Sequence, residues 1–234
     1  MEALYLTDSY LRDFRSFVTS VDGAKVELSK TAFYPSGGGQ PNDTGRIRFG
    51  NDEFAVLDVK KDGERITHFL NEPPSFSVHD EVRGELDWER RYTFMRMHTA
   101  SHILASIFYS RHKALITGNQ IGIDNTRFDF SMPDFDRGKI EECVKLANEA
   151  IGKKANVKIS FMKREDALKI PAIVKLADAL PPSIDTLRIV EIDGIDIQAD
   201  GGTHVANTQE IGKIELASME NRGKNNKRVY FSVL

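Results

Sequence analysis

Residues 82–91, VRGELDWERR, divide this chain into two regions with different hydrophobic periods. Before Asp87, apolar and polar residues alternate, as in a β-strand with one buried face. Asp87 is a suitable N-cap for a helix from Trp88 to about Arg111, over which apolar residues recur every three or four positions. We therefore predict a domain boundary near this residue, with one domain at residues 1–87 and a second at residues 88–234.

The first domain has the pattern of a small β-barrel. Alternating apolar and polar residues, separated by turn residues such as Asp22-Gly23 and Asp62-Gly63, indicate short strands. The predicted strands are residues 14–21, 24–28, 46–49, 54–59, 66–70 and 82–86. Several short strands at close spacing favour a closed barrel.

The second domain is predicted to be α+β. Besides the helix after Asp87, we predict a helix from Asp136 to about Lys153 and a short one at residues 165–169. Predicted strands are residues 118–123, 126–130, 157–162, 187–192, 195–198, 211–219 and 229–233. Pro171 and the pair Pro181-Pro182 mark an irregular stretch. Since no long linker separates the two domains, we expect them to pack directly on each other.

The composition is that of an ordinary soluble protein. The chain has 234 residues, of which 40% are hydrophobic and 29% charged, and its net charge is −3. Its N-terminus lacks a secretory pattern, and no apolar run approaches the ~18 residues that span a bilayer. The single cysteine, Cys143, excludes an internal disulfide and favours a reducing compartment. We expect a cytoplasmic protein without membrane association, as a monomer or weak dimer.

His98 and His102 are the first candidate metal ligands. Residues four apart on a helix share one face, with Cβ atoms roughly 6 Å apart, so both imidazoles can reach one ion. Alone, such a pair is more often structural. A zinc peptidase would carry glutamate after the first histidine, and Thr99 stands there instead. The other histidines, His68, His79 and His112, show no partner spacing and are interpreted as ordinary surface or partly buried residues.

Asp200 and His204 form a second pair around Gly201-Gly202. The glycines allow a sharp turn that brings both side chains to one side. Three imidazoles, with or without a carboxylate oxygen, suit Zn²⁺. Three protein ligands would leave one position open for water or substrate. Asp200 is either a ligand or a residue that orients an imidazole. The alternative is a turn in which Asp200 bonds the backbone and His204 packs in the core.

Two further stretches are candidates for substrate contacts. The segment Phe33 to Gln40 contains the triplet Gly37, Gly38 and Gly39, which either allows close approach of a substrate or only forms a tight turn. Near the C-terminus a basic group lies beside Tyr230; its members are Arg222, Lys224, Lys227 and Arg228. This group is either a local RNA-binding patch or a solvated edge strand protected by charge.

These motifs together resemble a known family. The segments HTASH (98–102) and DGGTHV (200–205) closely resemble the two metal half-sites of alanyl-tRNA synthetase editing domains and of their free-standing AlaX relatives. The segments FYPSGGGQP (33–41) and LDWERR (86–91) match the same family in the same order. The barrel with its glycine-rich loop is similar to the medium-length AlaX type. The resemblance implies a translation-factor-like barrel followed by an editing domain of the type shared with threonyl-tRNA synthetase.

The resemblance also implies an activity, which is hydrolysis of tRNA(Ala) mischarged with serine or glycine. Zn²⁺ would be held by His98, His102 and His204, with Asp200 as fourth ligand or catalytic group. Thr31 is the candidate for meeting the serine hydroxyl, although a threonine at a strand end is the simpler interpretation. Gln40 would bind the amino acid or ribose, and the glycine-rich loop and basic group would contact the 3′ end of the tRNA.

One departure and several alternatives stay open. The family usually has cysteine where this chain has Asp200, and a thiolate is a softer, stronger donor than a carboxylate. The metal would either activate water and polarise the ester carbonyl, or only bind the amino group and position the ester. A different zinc esterase or amidase, and a metal-free RNA-binding module, are the competing hypotheses.

Overall fold

The computed structural model describes residues 1–132, 136–170, 173, 185–223 and 226–234. The chain divides into two compact units, Met1–Met95 and Arg96–Leu234. Helix α1 (Trp88–His112) begins in the first unit and ends in the second. It begins where the sequence predicts, and the Asp87 carboxylate accepts a hydrogen bond from the backbone N–H of Arg90 at 3.2 Å.

The first unit is built from eight strands. They are β1 (Glu2–Ala3), β2 (Asp13–Asp22), β3 (Lys25–Leu28), β4 (Lys30–Thr31), β5 (Gly45–Phe49), β6 (Asp52–Asp62), β7 (Arg65–Leu70) and β8 (Glu81–Leu86). Six of them close an antiparallel barrel in the order β2-β3-β7-β6-β5-β8, which confirms that the chain contains a small barrel. The short strands β1 and β4, which the sequence pattern does not reveal, pair in parallel.

A buried ion pair links the start of helix α1 to the chain before β5. The guanidinium of Arg91 donates from Nε to both carboxylate oxygens of Asp43, at 3.1 and 3.0 Å, and both side chains are fully buried. Arg91 also donates to the carbonyl oxygens of Ser9 and Ala32, while Asp43 accepts the backbone N–H of Tyr34 at 2.6 Å. This pair holds the segment that follows β4 in place.

The described residues of the second unit form two sheets and, besides α1, two α-helices for which bounds can be given. The helices are α2 (Arg137–Ile151) and α3 (Arg164–Ala167). The strands are β9 (Ile116–Gln120), β10 (Thr126–Phe130), β11 (Val157–Lys163), β12 (Thr186–Ile192), β13 (Asp196–Ala199), β14 (Ile214–Asn221) and β15 (Lys227–Val233). One sheet has the order β14-β15-β10-β9 and the other the order β11-β12-β13. Asp136 caps α2 as predicted. This mixture confirms the α+β class.

The position of β15 corrects one interpretation of the basic group. β15 pairs with β14 on one side and β10 on the other, so it is an interior strand and not a solvated edge strand. Its alternate side chains Val229 and Phe231 are fully buried. Lys224 and the irregular stretch predicted at Pro171 and Pro181-Pro182 lie outside the described residues.

The central part of α1 is buried on almost every side. From Phe94 to Ala105 all residues except Arg96 are buried, whereas the sequence pattern indicates one apolar stripe. In the second unit, Phe108 stacks on Phe130 with ring centroids 4.1 Å apart. Among the described residues, no helix combines the length and the apolar character needed to cross a membrane.

Candidate metal centre

Four side chains of the second unit converge on one point. His98 and His102 lie on adjacent turns of α1, and Asp200 and His204 lie on the loop that follows β13. One potential ligand atom from each of the four lies within 4.8 Å of the other three. The ring centroids of His98 and His204 are 4.5 Å apart, and those of His102 and His204 are 4.8 Å apart. The two half-sites predicted from sequence therefore meet.

Backbone hydrogen bonds place Asp200 and His204 together. The N–H of Asp200 donates to the carbonyl of Arg188 on β12 at 3.1 Å, and the Arg188 guanidinium donates to the carbonyl of Asp200 at 2.8 Å. The Asp200 carboxylate accepts the N–H of Gly202 at 2.6 Å, which closes the turn. Its Oδ2 lies 3.0 Å from Nε2 of His204. Asp200 thus bonds the backbone and also faces the imidazoles.

The electrostatics favour neutral imidazoles at His98 and His204 beside an ionised carboxylate at Asp200. Burial lowers the pKa of His204 to about 4 and holds the pKa of His98 well below its usual value. Burial would raise the pKa of Asp200, but the neighbouring imidazoles of His98 and His204 lower it well below its usual range. Because metal ions bind the deprotonated forms of these groups, His98, His204 and Asp200 present suitable ligands near pH 7.

Two of the imidazoles have hydrogen-bond partners that sequence analysis did not identify. Nδ1 of His102 lies 3.0 Å from the carboxylate of Asp196 on β13. Burial alone would lower the pKa of His102, but this hydrogen bond raises it. Nδ1 of His204 lies 3.1 Å from the hydroxyl of Thr99. The only signal for Thr99 is its place inside the HTASH segment, and Asp196 carries no local signal.

The donor set fits Zn²⁺. Two atoms bound to one tetrahedral Zn²⁺ at about 2 Å lie roughly 3.3 Å from each other. Oδ2 of Asp200 lies 3.0 Å from Nε2 of His204, and Oδ1 of Asp200 lies 3.6 Å from Nε2 of His98. One of these ligand–ligand distances is slightly shorter and the other slightly longer than the spacing of roughly 3.3 Å. Three imidazole nitrogens and one carboxylate oxygen are donors that Zn²⁺ accepts.

Thr31 lies in the first unit at the end of β4, fully buried. Nδ1 of His68 lies 3.1 Å from the carbonyl of Val26, which can only accept, so this nitrogen carries the ring proton. Nε2 of His68 is then an acceptor, and the Thr31 hydroxyl donates to it at 2.8 Å. The same hydroxyl oxygen accepts the N–H of Phe33 at 3.1 Å. Because His68 is fully buried, its interpretation as an ordinary surface or partly buried residue is wrong. Its partners are distant in the chain and leave no local signal.

The glycine-rich loop forms a tight two-residue turn. The backbone of Gly37 and that of Gln40 exchange hydrogen bonds of 3.0 and 2.8 Å. Gly38 and Gly39 between them have φ values of 58° and 88°, which favour glycine. The tip of the loop is exposed, whereas Gln40 is buried. The tight-turn interpretation is therefore correct for the backbone, and a substrate-binding role remains a prediction.

The basic residues near the C-terminus have partners within the protein. Arg228 donates to Asp129 at 2.6 and 3.0 Å, and that carboxylate holds the pKa of Arg228 above its usual value. Arg222 pairs with Glu220 at 2.8 Å, and about half of its side chain is exposed. Lys227 is buried and donates to Asn221 at 3.0 Å. Of these three, Arg222 is the most accessible to an RNA phosphate.

Comparison with known proteins identifies the class of this fold and site. Residues 187–230, which include Asp200 and His204, match the threonyl and alanyl tRNA synthetase second additional domain. Residues 6–90 match the family of class II (A) tRNA synthetases. The chain therefore has the domains of an editing module of the alanyl-tRNA synthetase type.

Relatives along the whole chain define the family more narrowly. The alanyl-tRNA editing protein AlaX-M of Saccharolobus solfataricus is 49% identical over 99% of this chain and 98% of its own length. The AlaX-M protein of Methanosarcina barkeri is 42% identical over 100% of this chain and 99% of its own length. The alanine–tRNA ligase of Hyperthermus butylicus is 38% identical over 93% of this chain but only 24% of the ligase. The chain belongs to the AlaX-M family of alanyl-tRNA editing proteins, which confirms the family predicted from the motifs.

Proposed function

We propose that this chain is a zinc-dependent trans-editing hydrolase that cleaves the ester joining serine to tRNA(Ala), with the glycyl ester as a second substrate. The observation that carries the proposal is the convergence of His98, His102, His204 and Asp200 in a chain of the AlaX-M family. The relatives are named alanyl-tRNA editing proteins, and the donor set supports a metal-assisted hydrolysis.

The residues of the second unit would hold the metal. His98, His102 and His204 would supply imidazole nitrogens, and Asp200 would supply a carboxylate that compensates part of the cation's charge. When bound, Zn²⁺ supplies Lewis acidity and a fixed point for an oxygen or amino group of the substrate. Arg188, hydrogen-bonded to the Asp200 carbonyl, keeps the loop in the position that the cluster needs.

Thr31 and Gln40 are proposed to recognise the amino acid. Since the Thr31 hydroxyl donates its proton to His68, its oxygen keeps acceptor capacity beyond the bond from Phe33. A serine hydroxyl can donate to that oxygen, whereas alanine has no such group. A site built on such a bond can reject the analogue without it by up to about 10⁴–10⁵. Gln40 offers both donor and acceptor groups to the amino acid or ribose.

The remaining proposals concern the tRNA and the state of the protein. Its 3′ acceptor end would be contacted by the exposed turn at residues 37–39 and by Arg222, with Lys224 and Arg228 as further candidates. We propose a barrel of the translation-factor type in residues 1–87 and an editing domain in residues 88–234. The protein is further proposed to be cytoplasmic and to be a monomer or a weak dimer.

The test is a deacylation assay on seryl-, glycyl- and alanyl-tRNA(Ala) with and without a zinc chelator. We expect seryl ester hydrolysis well above the alanyl rate, and its loss with chelator. Replacing His98 or His204 with alanine should abolish hydrolysis and metal retention together, because the remaining ligands bind too weakly. His112→Ala, on the same helix α1, is the matched control and should keep both properties.

The competing functions give different results in the same assay. No deacylation by a protein that retains about one zinc per chain would favour hydrolysis of another ester or amide. No retained zinc and no deacylation would favour an RNA-binding module. Either result contradicts the proposed function.

A further inference from the structure

The carboxylate of Asp196 determines which nitrogen of His102 carries the proton. Nδ1 of His102 and Oδ2 of Asp196 are 3.0 Å apart, and less than a tenth of either side chain is exposed. An ionised carboxylate can only accept, so the proton lies on Nδ1. Nε2 then has a lone pair available for a metal ion.

Asp196 is itself held by two neighbouring contacts. The side-chain amide of Gln198 donates to the same Oδ2 at 2.8 Å. On the neighbouring turn of α1, the hydroxyl of Ser106 donates to the carbonyl of Ile195 at 2.8 Å, which ties the start of β13 to the helix. The acceptor for His102 therefore has a defined position, and ring rotation of His102 would break its hydrogen bond.

His204 has a different kind of partner. The Thr99 hydroxyl lies 3.1 Å from Nδ1 of His204 and accepts the N–H of Val205 at 3.2 Å. A hydroxyl carries both a donor and an acceptor, so the contact with Thr99 does not by itself identify the tautomer of His204. Asp196 accepts only, and it therefore does select one.

We propose that Asp196 is a positioning residue of the metal centre that fixes the Nδ1–H tautomer of His102 and presents Nε2 to the ion. An imidazole that donates to a carboxylate is also a more basic ligand, which strengthens its bond to the metal. This role matters more here because Asp200 supplies a carboxylate and not a thiolate. The inference rests on the metal centre of the proposed function, and its test measures metal binding rather than hydrolysis.

The test compares zinc affinity in the full-length protein and in two variants, Asp196→Asn and Asp196→Ala. Competition with a chromophoric chelator measures the dissociation constant for Zn²⁺. We expect it to rise by about 10–100-fold in both variants, because partners of this kind contribute that much to metal affinity. Asp193→Asn, in the turn before β13, is the matched control, since Asp193 pairs with the half-exposed Lys158 and should leave the affinity unchanged.

Two readouts separate positioning from a purely structural role. Long-range ¹H–¹⁵N spectra of the histidine rings should show His102 as the Nδ1–H form in the wild type and a mixture in metal-free Asp196→Asn. Urea unfolding of the metal-free proteins should change little for the asparagine variant. Wild-type zinc affinity in both variants, or an Nε2–H form of His102 in the wild type, would overturn the inference. The inference would also be overturned if the variants lost zinc affinity and lost an equal free energy of unfolding in the metal-free state.

The outcomes also separate this inference from the proposed function. If the wild-type protein binds zinc and leaves seryl-tRNA intact, and the Asp196 variants bind zinc more weakly as expected, only the proposed function is overturned. A wild-type protein that deacylates seryl-tRNA and whose Asp196 variants bind zinc normally would overturn the inference only.

Discussion

The hydroxyl oxygen of Thr31 lies 2.8 Å from Nε2 of His68, and neither side chain is exposed to solvent. Burial lowers the pKa of His68 to about 4, so its imidazole is neutral at pH 7. In the unfolded chain the same group takes up a proton near pH 6.5. The barrel therefore contains a group whose protonation opposes folding.

The first prediction is a loss of stability in acid that depends on His68. Because the unfolded state binds the proton first, the free energy of unfolding falls as pH drops from about 6.5 toward 4, by about 2 kcal/mol between pH 7 and 5. His68→Gln removes this contribution, so its stability should depend less on pH. Urea unfolding followed by fluorescence of Trp88, the single tryptophan, measures both proteins. The exposed His79→Gln should behave as the wild type, and equal pH dependence in all three proteins would contradict the prediction.

The second prediction concerns the role of the Thr31 hydroxyl in substrate choice. Thr31→Val keeps the shape but removes the hydroxyl, so the ratio of seryl to alanyl deacylation should fall by tenfold or more, on the order of one hydrogen bond to the substrate. Zinc content should stay unchanged. Thr31→Ser retains the hydroxyl and should preserve the ratio. Wild-type selectivity in the valine variant would exclude Thr31 as the recognition residue.

The third prediction is that the buried pair Arg91–Asp43 stabilises the first unit. Asp43→Ala leaves the Arg91 guanidinium buried without its carboxylate partner, which should lower the free energy of unfolding by about 3–5 kcal/mol. Glu81→Ala breaks a pair with Arg15 in which both side chains are largely exposed, and it should change stability by less than about 1 kcal/mol. Urea unfolding of the two variants compares them directly, and similar losses would contradict the prediction.

Local periodicity explains which parts of the structure were predictable. The start of α1, the barrel strands and the shared face of His98 and His102 follow from spacings of two, three or four residues, which any segment carries within itself. Asp200 and His204 were found because a glycine pair between them indicates a turn. Each of these features is encoded within a short segment.

The rest depends on contacts between distant segments. Arg91 and Asp43 are 48 positions apart, and His102 and Asp196 are 94 apart, so no local pattern joins them. The pairing order of strands is equally non-local. Lys and Arg clustered at the start of a strand are typical of an edge, but in β15 the partners of Arg228 and Lys227 are Asp129 and Asn221 of adjacent strands. The carboxylate of Asp129 and the side-chain amide of Asn221 allow those cations to lie in an interior strand.

The fourth prediction concerns the substitution of cysteine for Asp200. The Asp200 carboxylate accepts a hydrogen bond from the N–H of Gly202 and lies 3.9 Å from the Arg188 guanidinium. Both contacts draw electron density from the carboxylate oxygens and make them weaker ligands for a cation. A thiolate is the softer and stronger donor, so Asp200→Cys should bind Zn²⁺ about tenfold more tightly or better. Asp200→Asn keeps the shape but loses the charge and should bind more weakly than the wild type. Competition with a chelator measures all three dissociation constants.

The same substitution should make zinc retention sensitive to oxidants. The wild-type cluster contains no sulfur, and burial raises the pKa of the only thiol, Cys143, to about 11, so peroxide should leave bound zinc in place. In Asp200→Cys the thiolate lies on the metal, and its oxidation should release the ion. Zinc release is followed with a chromophoric chelator during peroxide treatment, with Asp200→Asn as the control that lacks both charge and sulfur. Equal release from the wild type and the cysteine variant would mean that residue 200 does not contact the metal, and the ligand set would then reduce to the three histidines.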